Sequence, residues 1–262
     1  MPDYSLSSAE QAYAEVYDQM HAARASTSIV SELYAEAMGD AYPVELNASS
    51  SVDWQLLGAM VGALRMRPGE RLVDLGCGTG GVSLWLARAL AVSVTGVDIS
   101  ATAVHLASAH VRQLSLPPGR ARFVVGSRLA TGLPDQWAHG LVCVDALGRG
   151  IDRRPALQEI RRLLKPGARA VVTASRSRLA PSPPWSEHAE ATGLMLEAEQ
   201  ERPHEPQMWN RLYDLWIAHE KELRQQLGDA QAESMLAEAR ISALMLKDRI
   251  ALVVTLRRPV DA

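Results

Sequence analysis

One stretch limits what this chain can become more than any other: Val73-Asp-Leu-Gly-Cys-Gly-Thr-Gly-Gly81, in which four of the last six residues are glycine. It follows the apolar run Arg71–Leu75 and precedes an apolar-periodic stretch near 80–91, so it reads as a sharp turn between a buried strand and a helix. Glycine suits such a turn because the chain bends tightly and a ligand must approach the backbone with no Cβ in the way. In an open parallel sheet, ligands bind in the crevice at the carboxyl ends of the strands, which is where this turn belongs.

The rest of the chain repeats the alternation. After the helix near 80–91 come a strand over 92–98, a helix over 101–115 capped by Ser100, a strand over 121–125 and, past a loop, a strand over 141–145. A helix over 153–164 capped by Asp152 and a strand over 168–173 follow, with Pro118-Gly119 and Pro166-Gly167 as turns. The strands read as continuous apolar runs, as expected when helices cover both faces of a parallel sheet. The expected fold class is therefore α/β, a doubly wound, Rossmann-like sheet built from right-handed βαβ units.

Flanking segments differ in character. Residues 8–23 and 27–38 carry apolar residues at helical spacing with Ser and Thr available as N-caps, and a helix over 54–66 follows a polar loop. Beyond the proline-rich Ala180–Pro184 the pattern predicts a short helix (185–192), a strand (194–199), helices over 206–226 and 229–245, and a last run, 249–256, that returns to the sheet as a seventh, antiparallel strand. The chain thus divides into an N-terminal helical lid (1–54), an α/β core (55–200), a helical cap insertion (201–248) and the final strand (249–262). Of the 13 Trp, Tyr and Phe residues, only Trp85, Phe123 and Trp137 lie between 70 and 175. The sheet core is aliphatic, and the aromatic residues belong to the cap.

Composition removes several function classes. With 262 residues, 47% of them hydrophobic, the chain can bury a sizeable core. Lys and Arg number 27 against 30 Asp and Glu, a net charge of −3, so a nucleic-acid partner is not expected. No stretch approaches the roughly 18 apolar residues of a membrane span, and no basic, then apolar leader opens the sequence, so the expected location is the cytoplasm. Cys77 and Cys143 show neither CxxC nor His/Cys spacing, so neither a disulfide framework nor a metal site is signalled.

Gly76, Gly78 and Gly81 also satisfy a dinucleotide fingerprint, with Asp98 where a ribose-binding acid would stand. Asp74, two residues before the first glycine, argues against a nicotinamide dinucleotide, because a pyrophosphate there would approach a carboxylate. A cationic guest fits better. S-adenosylmethionine, with an ammonium, a sulfonium and one carboxylate, is such a guest: its ammonium can meet the Asp74 region and its ribose can hydrogen-bond to Asp98.

Val73–Gly81 followed by Val94-Thr-Gly-Val-Asp-Ile-Ser100 resembles the first two motifs of class I S-adenosylmethionine-dependent methyltransferases of the small-molecule type. Phe123-Val-Val-Gly126 with Gly132-Leu-Pro134, Val142–Leu147 and Leu163-Leu-Lys-Pro-Gly167 occur in the order and spacing of the later motifs. The resemblance is dense over about 55–175. It implies S-adenosylmethionine as cofactor, S-adenosylhomocysteine as product, and cofactor contacts from Asp74, Gly76, Cys77, Gly78, Gly80, Asp98, Ile99, Ser127, Arg128 and Asp145. Similar enzymes commonly carry Asp where Ser127 stands; its hydroxyl can still accept a hydrogen bond from the adenine amino group.

The acceptor side is less legible. Where many similar enzymes place a histidine, this chain reads Ala146-Leu-Gly-Arg149, and arginine is no base at neutral pH. Arg149 can hold a substrate carboxylate or phosphate, or it is one more exposed cation beside Arg153 and Arg154. His204 is the candidate catalytic base, ahead of the helical His21 and His219, and Tyr17, Trp209 and Tyr213 are candidate pocket residues, with Tyr34 able to close over the cofactor. Methyl transfer need not use a strong base, since alignment of acceptor, methyl and sulfur supplies much of the rate. The expected function is methylation of oxygen, nitrogen or carbon on a small, secondary-metabolite-like molecule by a monomer or homodimer. The alternatives are a non-methylating, cyclase-like enzyme on the same fold, or a cofactor-binding scaffold subunit.

Overall fold

The computed structural model describes residues 6–113, 116–147, 152–180 and 182–260. Seven strands, β1 (Arg71–Leu75), β2 (Ser93–Asp98), β3 (Ala121–Val125), β4 (Ala138–Cys143), β5 (Leu164–Ser177), β6 (Met195–Glu201) and β7 (Arg249–Arg257), form one sheet in the order β3-β2-β1-β4-β5-β7-β6. Strands β1 to β5 pair in parallel, and β7 runs antiparallel between β5 and β6. This is the Rossmann-like sheet with an antiparallel last strand that the sequence predicts. Strand order reverses between β1 and β4, and that switch point opens the crevice for a ligand.

Side-chain alternation builds a core on each face. Val73 and Leu75, Leu141 and Cys143, and Leu252 and Val254 point to one face, where helices α6 (Arg154–Leu163) and α7 (Trp185–Glu190) cover them. Leu72, Val142, Val171 and Val253 point to the other, under α3 (Trp54–Leu64) and α4 (Gly81–Ala89). Each fully buried side chain of this size contributes about 1.5–3 kcal/mol. Helix α5 (Ala101–Gln113) packs beside β2 and β3.

A third core lies apart from the sheet. It joins α2 (Ile29–Met38) to α8 (Glu205–Ala218), α9 (Glu220–Leu227) and α10 (Asp229–Leu246), with Tyr34, Trp209, Tyr213 and Trp216 at its centre. Helix α1 (Ser8–Ala25) starts with a capping box, the Ser7 hydroxyl accepting from the Glu10 amide while the Glu10 carboxylate accepts from the Ser7 amide. No helix of the described residues is long and apolar enough to cross a membrane.

Three boundaries differ from the sequence reading. Strand β4 spans 138–143 in place of 141–145; in its register with β1 (Val73 opposite Leu141, Asp74 opposite Val142) both strands end level, Cys143 beside Leu75. Asp145 then turns away with φ 55°, in the left-handed region. Strand β5 begins directly after α6, at Leu164, and runs through Pro166-Gly167. The helix expected over 206–226 is broken at His219 into α8 and α9, a break that apolar periodicity does not register.

Candidate functional site

The glycine turn at the end of β1 is shaped by contacts that only glycine permits. A Cβ on Gly76 (φ 72°) would meet the Ala146 Cβ at 2.2 Å, and one on Gly81 would meet the Leu46 carbonyl oxygen at 2.1 Å. The turn is tied to the tip of the neighbouring strand: one Asp98 oxygen accepts the Gly78 amide at 2.8 Å and the other accepts the Ser100 amide at 2.9 Å. Two backbone donors keep that carboxylate oriented, and its remaining lone pairs are left for a ligand.

Asp74 lies beneath the turn, almost fully buried, and the Ser83 hydroxyl at the start of α4 donates to it at 2.5 Å. Burial pushes its carboxyl up to about 7, with the nearby Asp98 charge acting in the same direction and the Ser83 hydrogen bond opposing both. The paired acids therefore form a site where a positive charge is favoured.

These groups open onto one cavity of about 910 Å³. Its floor is formed by the turn, the β2 tip and the ends of β4 and β5, and its cover comes from α1, α2, α8 and α10. Among the expected cofactor residues, Asp74, Gly76, Cys77, Gly78, Asp98, Ile99, Ser127, Arg128 and Asp145 all line it. Gly80 does not: it sits under the turn, where a Cβ would strike Phe123 and Ala107 at 2.8–2.9 Å, so its part is packing. The Cys77 side chain likewise packs with Leu84, Ala107 and Phe123, and burial holds its thiol well above the usual range.

Ser127 is buried and its hydroxyl accepts the Leu129 amide at 3.1 Å, which fixes the loop after β3. Asp145 is more heavily engaged than a cofactor ligand needs to be. Its carboxylate accepts the Ser51 amide (2.7 Å) and hydroxyl (3.1 Å) and the Thr173 hydroxyl (2.9 Å), and Arg202 reaches the same Ser51 from the far side. It bolts the loop before α3 to the ends of β4 and β5.

The acceptor-side expectations fare unevenly. His204 is exposed at the N-terminus of α8 and does not line the cavity, so it is not placed to act as the base. The next residue faces the opposite way: the Glu205 carboxylate is buried, pairing with Arg249 at 2.5 Å and accepting the Trp209 indole N–H at 2.9 Å. Adjacent helical residues point about 100° apart, so inward Glu205 sends His204 outward. Tyr213 does not line the cavity either; it is packed between Trp209 and Trp216, its hydroxyl donating to Glu238 at 3.1 Å. Tyr17, Tyr34 and Trp209 do line it. Arg149 lies outside the described residues.

Several residues of α1 were not singled out from the sequence or ranked low; His21 and Arg24 line the cavity, and Asp18 lies on the same helix. The Asp18 carboxylate of α1 accepts the Ser100 hydroxyl (2.6 Å) and the Thr102 amide (2.8 Å), which fastens α1 to the start of α5. That fastening brings in Tyr17 and His21 on the same helix; a Cβ on Gly78 would lie 3.8 Å from the His21 ring. Burial lowers the His21 value, so the ring is neutral at pH 7. Arg24, one turn on, has a buried Nε with no hydrogen-bond partner among the described residues. An acid on an amphipathic helix ordinarily reads as solvent-facing, and no local pattern marks Asp18 as a tether.

Residues 72–167 match a protein family described as "Methyltransferase domain". O-methyltransferase cnsE of Penicillium expansum is 32% identical over 111 residues, which is 42% of this chain and 40% of that protein. The 27-O-demethylrifamycin SV methyltransferase of Amycolatopsis mediterranei (strain S699) is 27% identical over 179 residues, 68% of this chain and 62% of that protein. The chain spans less than half the length of several curated relatives that it matches. Among solved structures, the [4+2]-cyclase SpnF superposes with a TM-score of 0.74 at 22% identity, over 96% of this chain and 97% of that one, a likeness of fold.

Proposed function

We propose, from the premise that the chain belongs to the class I S-adenosylmethionine-dependent methyltransferases, that it transfers a methyl group to a small-molecule acceptor and releases S-adenosylhomocysteine. The observation that carries this reading is the Asp98 carboxylate, held by the glycine turn and opening into a cavity that helices cover. The residues present fit the cofactor. The turn at Gly76 and Gly78 has no side chain in the way, Asp74 and Asp98 favour a cationic ligand, and the cavity is larger than one cofactor needs.

In this reading Asp98 accepts both ribose hydroxyls, Ile99 packs against the adenine, and the free lone pair of the Ser127 hydroxyl meets the adenine amino group. Asp74 and its surroundings receive the ammonium, while Arg24, whose buried Nε has no hydrogen-bond partner among the described residues, meets the carboxylate. When bound, S-adenosylmethionine supplies a methyl group that its sulfonium makes electrophilic. Helices α1, α2, α8 and α10 act as a lid that excludes water and aligns the acceptor. His21, neutral in the cavity, replaces His204 as the group able to take a proton from an acceptor hydroxyl. A hydroxyl acceptor is favoured by the matched O-methyltransferases and by 27-O-demethylrifamycin SV methyltransferase. The protein works in the cytoplasm as a monomer or homodimer, without nucleic acid.

The test is S-adenosylhomocysteine release across a panel of phenols, polyketide alcohols and amines. Turnover of a panel member supports the reading, whereas tight cofactor binding with no release on any acceptor supports a non-methylating enzyme.

A further inference from the structure

Beyond the cofactor groups, the same cavity holds a cation that no carboxylate neutralises. Arg153 lines it at the start of α6, half-buried, with its guanidinium 5.1 Å from the centre of the Trp185 ring. Among the described residues one of its five N–H donors is used, Nη2 donating to the Ser175 carbonyl at 3.1 Å. No carboxylate lies within ion-pair distance of it among the described residues: Asp152, its neighbour, is exposed and accepts the Arg154 amide. Burial disfavours its charged form.

A second guanidinium converges on the same point. Arg249 donates to the Ser175 hydroxyl at 3.2 Å and is itself neutralised by Glu205 at 2.5 Å. Ser175 and Arg249 both line the cavity, so its β5 end carries two guanidiniums; of the carboxylates there, Glu205 is paired with Arg249 and Asp145 is held by Ser51 and Thr173. In the sheet, β5 stands three strands from β2, roughly 14 Å from the Asp98 tip at the usual strand spacing. That distance puts Arg153 away from the ribose-binding acid and on the side left for the acceptor.

A half-buried arginine with four donors unused among the described residues, its guanidinium over an aromatic ring, is arranged for bidentate recognition of an oxyanion. We infer that Arg153, supported by Ser175 and Arg249, binds an anionic oxygen group, a carboxylate or a phosphate ester, on the acceptor molecule. The inference deepens the methyltransferase reading and rests on it for the identification of this end as the acceptor end. The expected role of Arg149 as anion holder passes, in this account, to the arginine four residues on.

The test is calorimetric titration of the full chain, with and without saturating S-adenosylhomocysteine, against three probes of one shape: 2-naphthoate, 2-naphthyl phosphate and neutral 2-naphthalenemethanol. The wild type is expected to bind at least one anion ten-fold or more tighter than the alcohol, and the preferred anion distinguishes carboxylate from phosphate. Arg153→Met is expected to level the three probes and to leave S-adenosylhomocysteine affinity unchanged, with Arg153→Lys intermediate. Equal or undetectable binding of all three by the wild type overturns the inference, as does an anion preference that persists in Arg153→Met. Failure of S-adenosylhomocysteine to bind the wild type would instead remove the methyltransferase reading, while the anion preference is read separately in the cofactor-free titration.

Discussion

The Asp98 carboxylate accepts the Gly78 amide at 2.8 Å, so the acid at the tip of β2 and the turn after β1 are one unit. Removing the acid both deletes ligand hydrogen bonds and releases the turn. A charge-assisted hydrogen bond is worth about 1.5–3 kcal/mol. Asp98→Asn, which keeps one acceptor oxygen, is expected to weaken S-adenosylhomocysteine binding about ten-fold, and Asp98→Ala a hundred-fold or more, by calorimetry. Equal affinity in both variants would dissociate the acid from the cofactor.

Asp74 makes stability and binding depend on pH. Its folded-state value near 7 lies above the ordinary carboxylate value of 3.8 because it is buried. Between about pH 4 and 7 the folded chain therefore holds more protons at this site than the unfolded chain, and its contribution to stability falls as pH rises through that window. Asp74→Asn is expected to abolish that part of the decline in denaturant melts taken from pH 5 to 8. A cationic ligand favours the ionised acid, so S-adenosylmethionine binding should release close to one proton at pH 6 and almost none at pH 8.5. Titrations in buffers of different ionisation enthalpy read that number directly.

Gly81 opens α4 with the Leu46 carbonyl pressed against its Cα, and a Cβ there would sit 2.1 Å from that oxygen. The backbone must move to admit a methyl group. Gly81→Ala is expected to cost about 1–3 kcal/mol in urea melts, the range for overpacked sites. Gly62→Ala, on exposed space within α3, is the control expected to be neutral or slightly stabilising, since alanine favours helix.

Thr173 donates its hydroxyl to Asp145 and accepts the Asp145 amide at 2.7 Å. Thr173→Val leaves the Asp145 amide without its partner and removes one of the two hydrogen bonds to a carboxylate oxygen that the Ser51 hydroxyl still meets, at a part-buried site. The expected loss is about 1–3 kcal/mol of stability, with the left-handed Asp145 conformation relaxing. Amide exchange at Asp145 and Ser51 should speed up together, because Asp145 bonds both segments. Independent exchange at the two would contradict the tether.

The sheet was readable because its evidence is local: Arg71–Leu75 and Ser93–Asp98 are apolar runs, and glycine and proline punctuate them. The cavity acids Asp74 and Asp98 were readable for the same reason, each standing at or next to the end of a strand. His204 misled because helix phase, set by the inward turn of Glu205 toward Arg249, is a tertiary fact. Asp18 went unnoticed and His21 was ranked behind His204 because their value comes from α1 docking on Ser100, 82 residues from Asp18 in sequence. Arg153 looked like one of several surface cations, and only its packing on Trp185 and Ser175 sets it apart.

The most direct measurement is calorimetric titration of the purified chain with S-adenosylmethionine, S-adenosylhomocysteine and NAD, with Asp98→Ala beside it. The expected result is binding of the two adenosyl ligands in the micromolar range, no binding of NAD, and a marked loss in the variant. Binding of NAD alone, or adenosyl binding that Asp98→Ala leaves intact, would contradict the account.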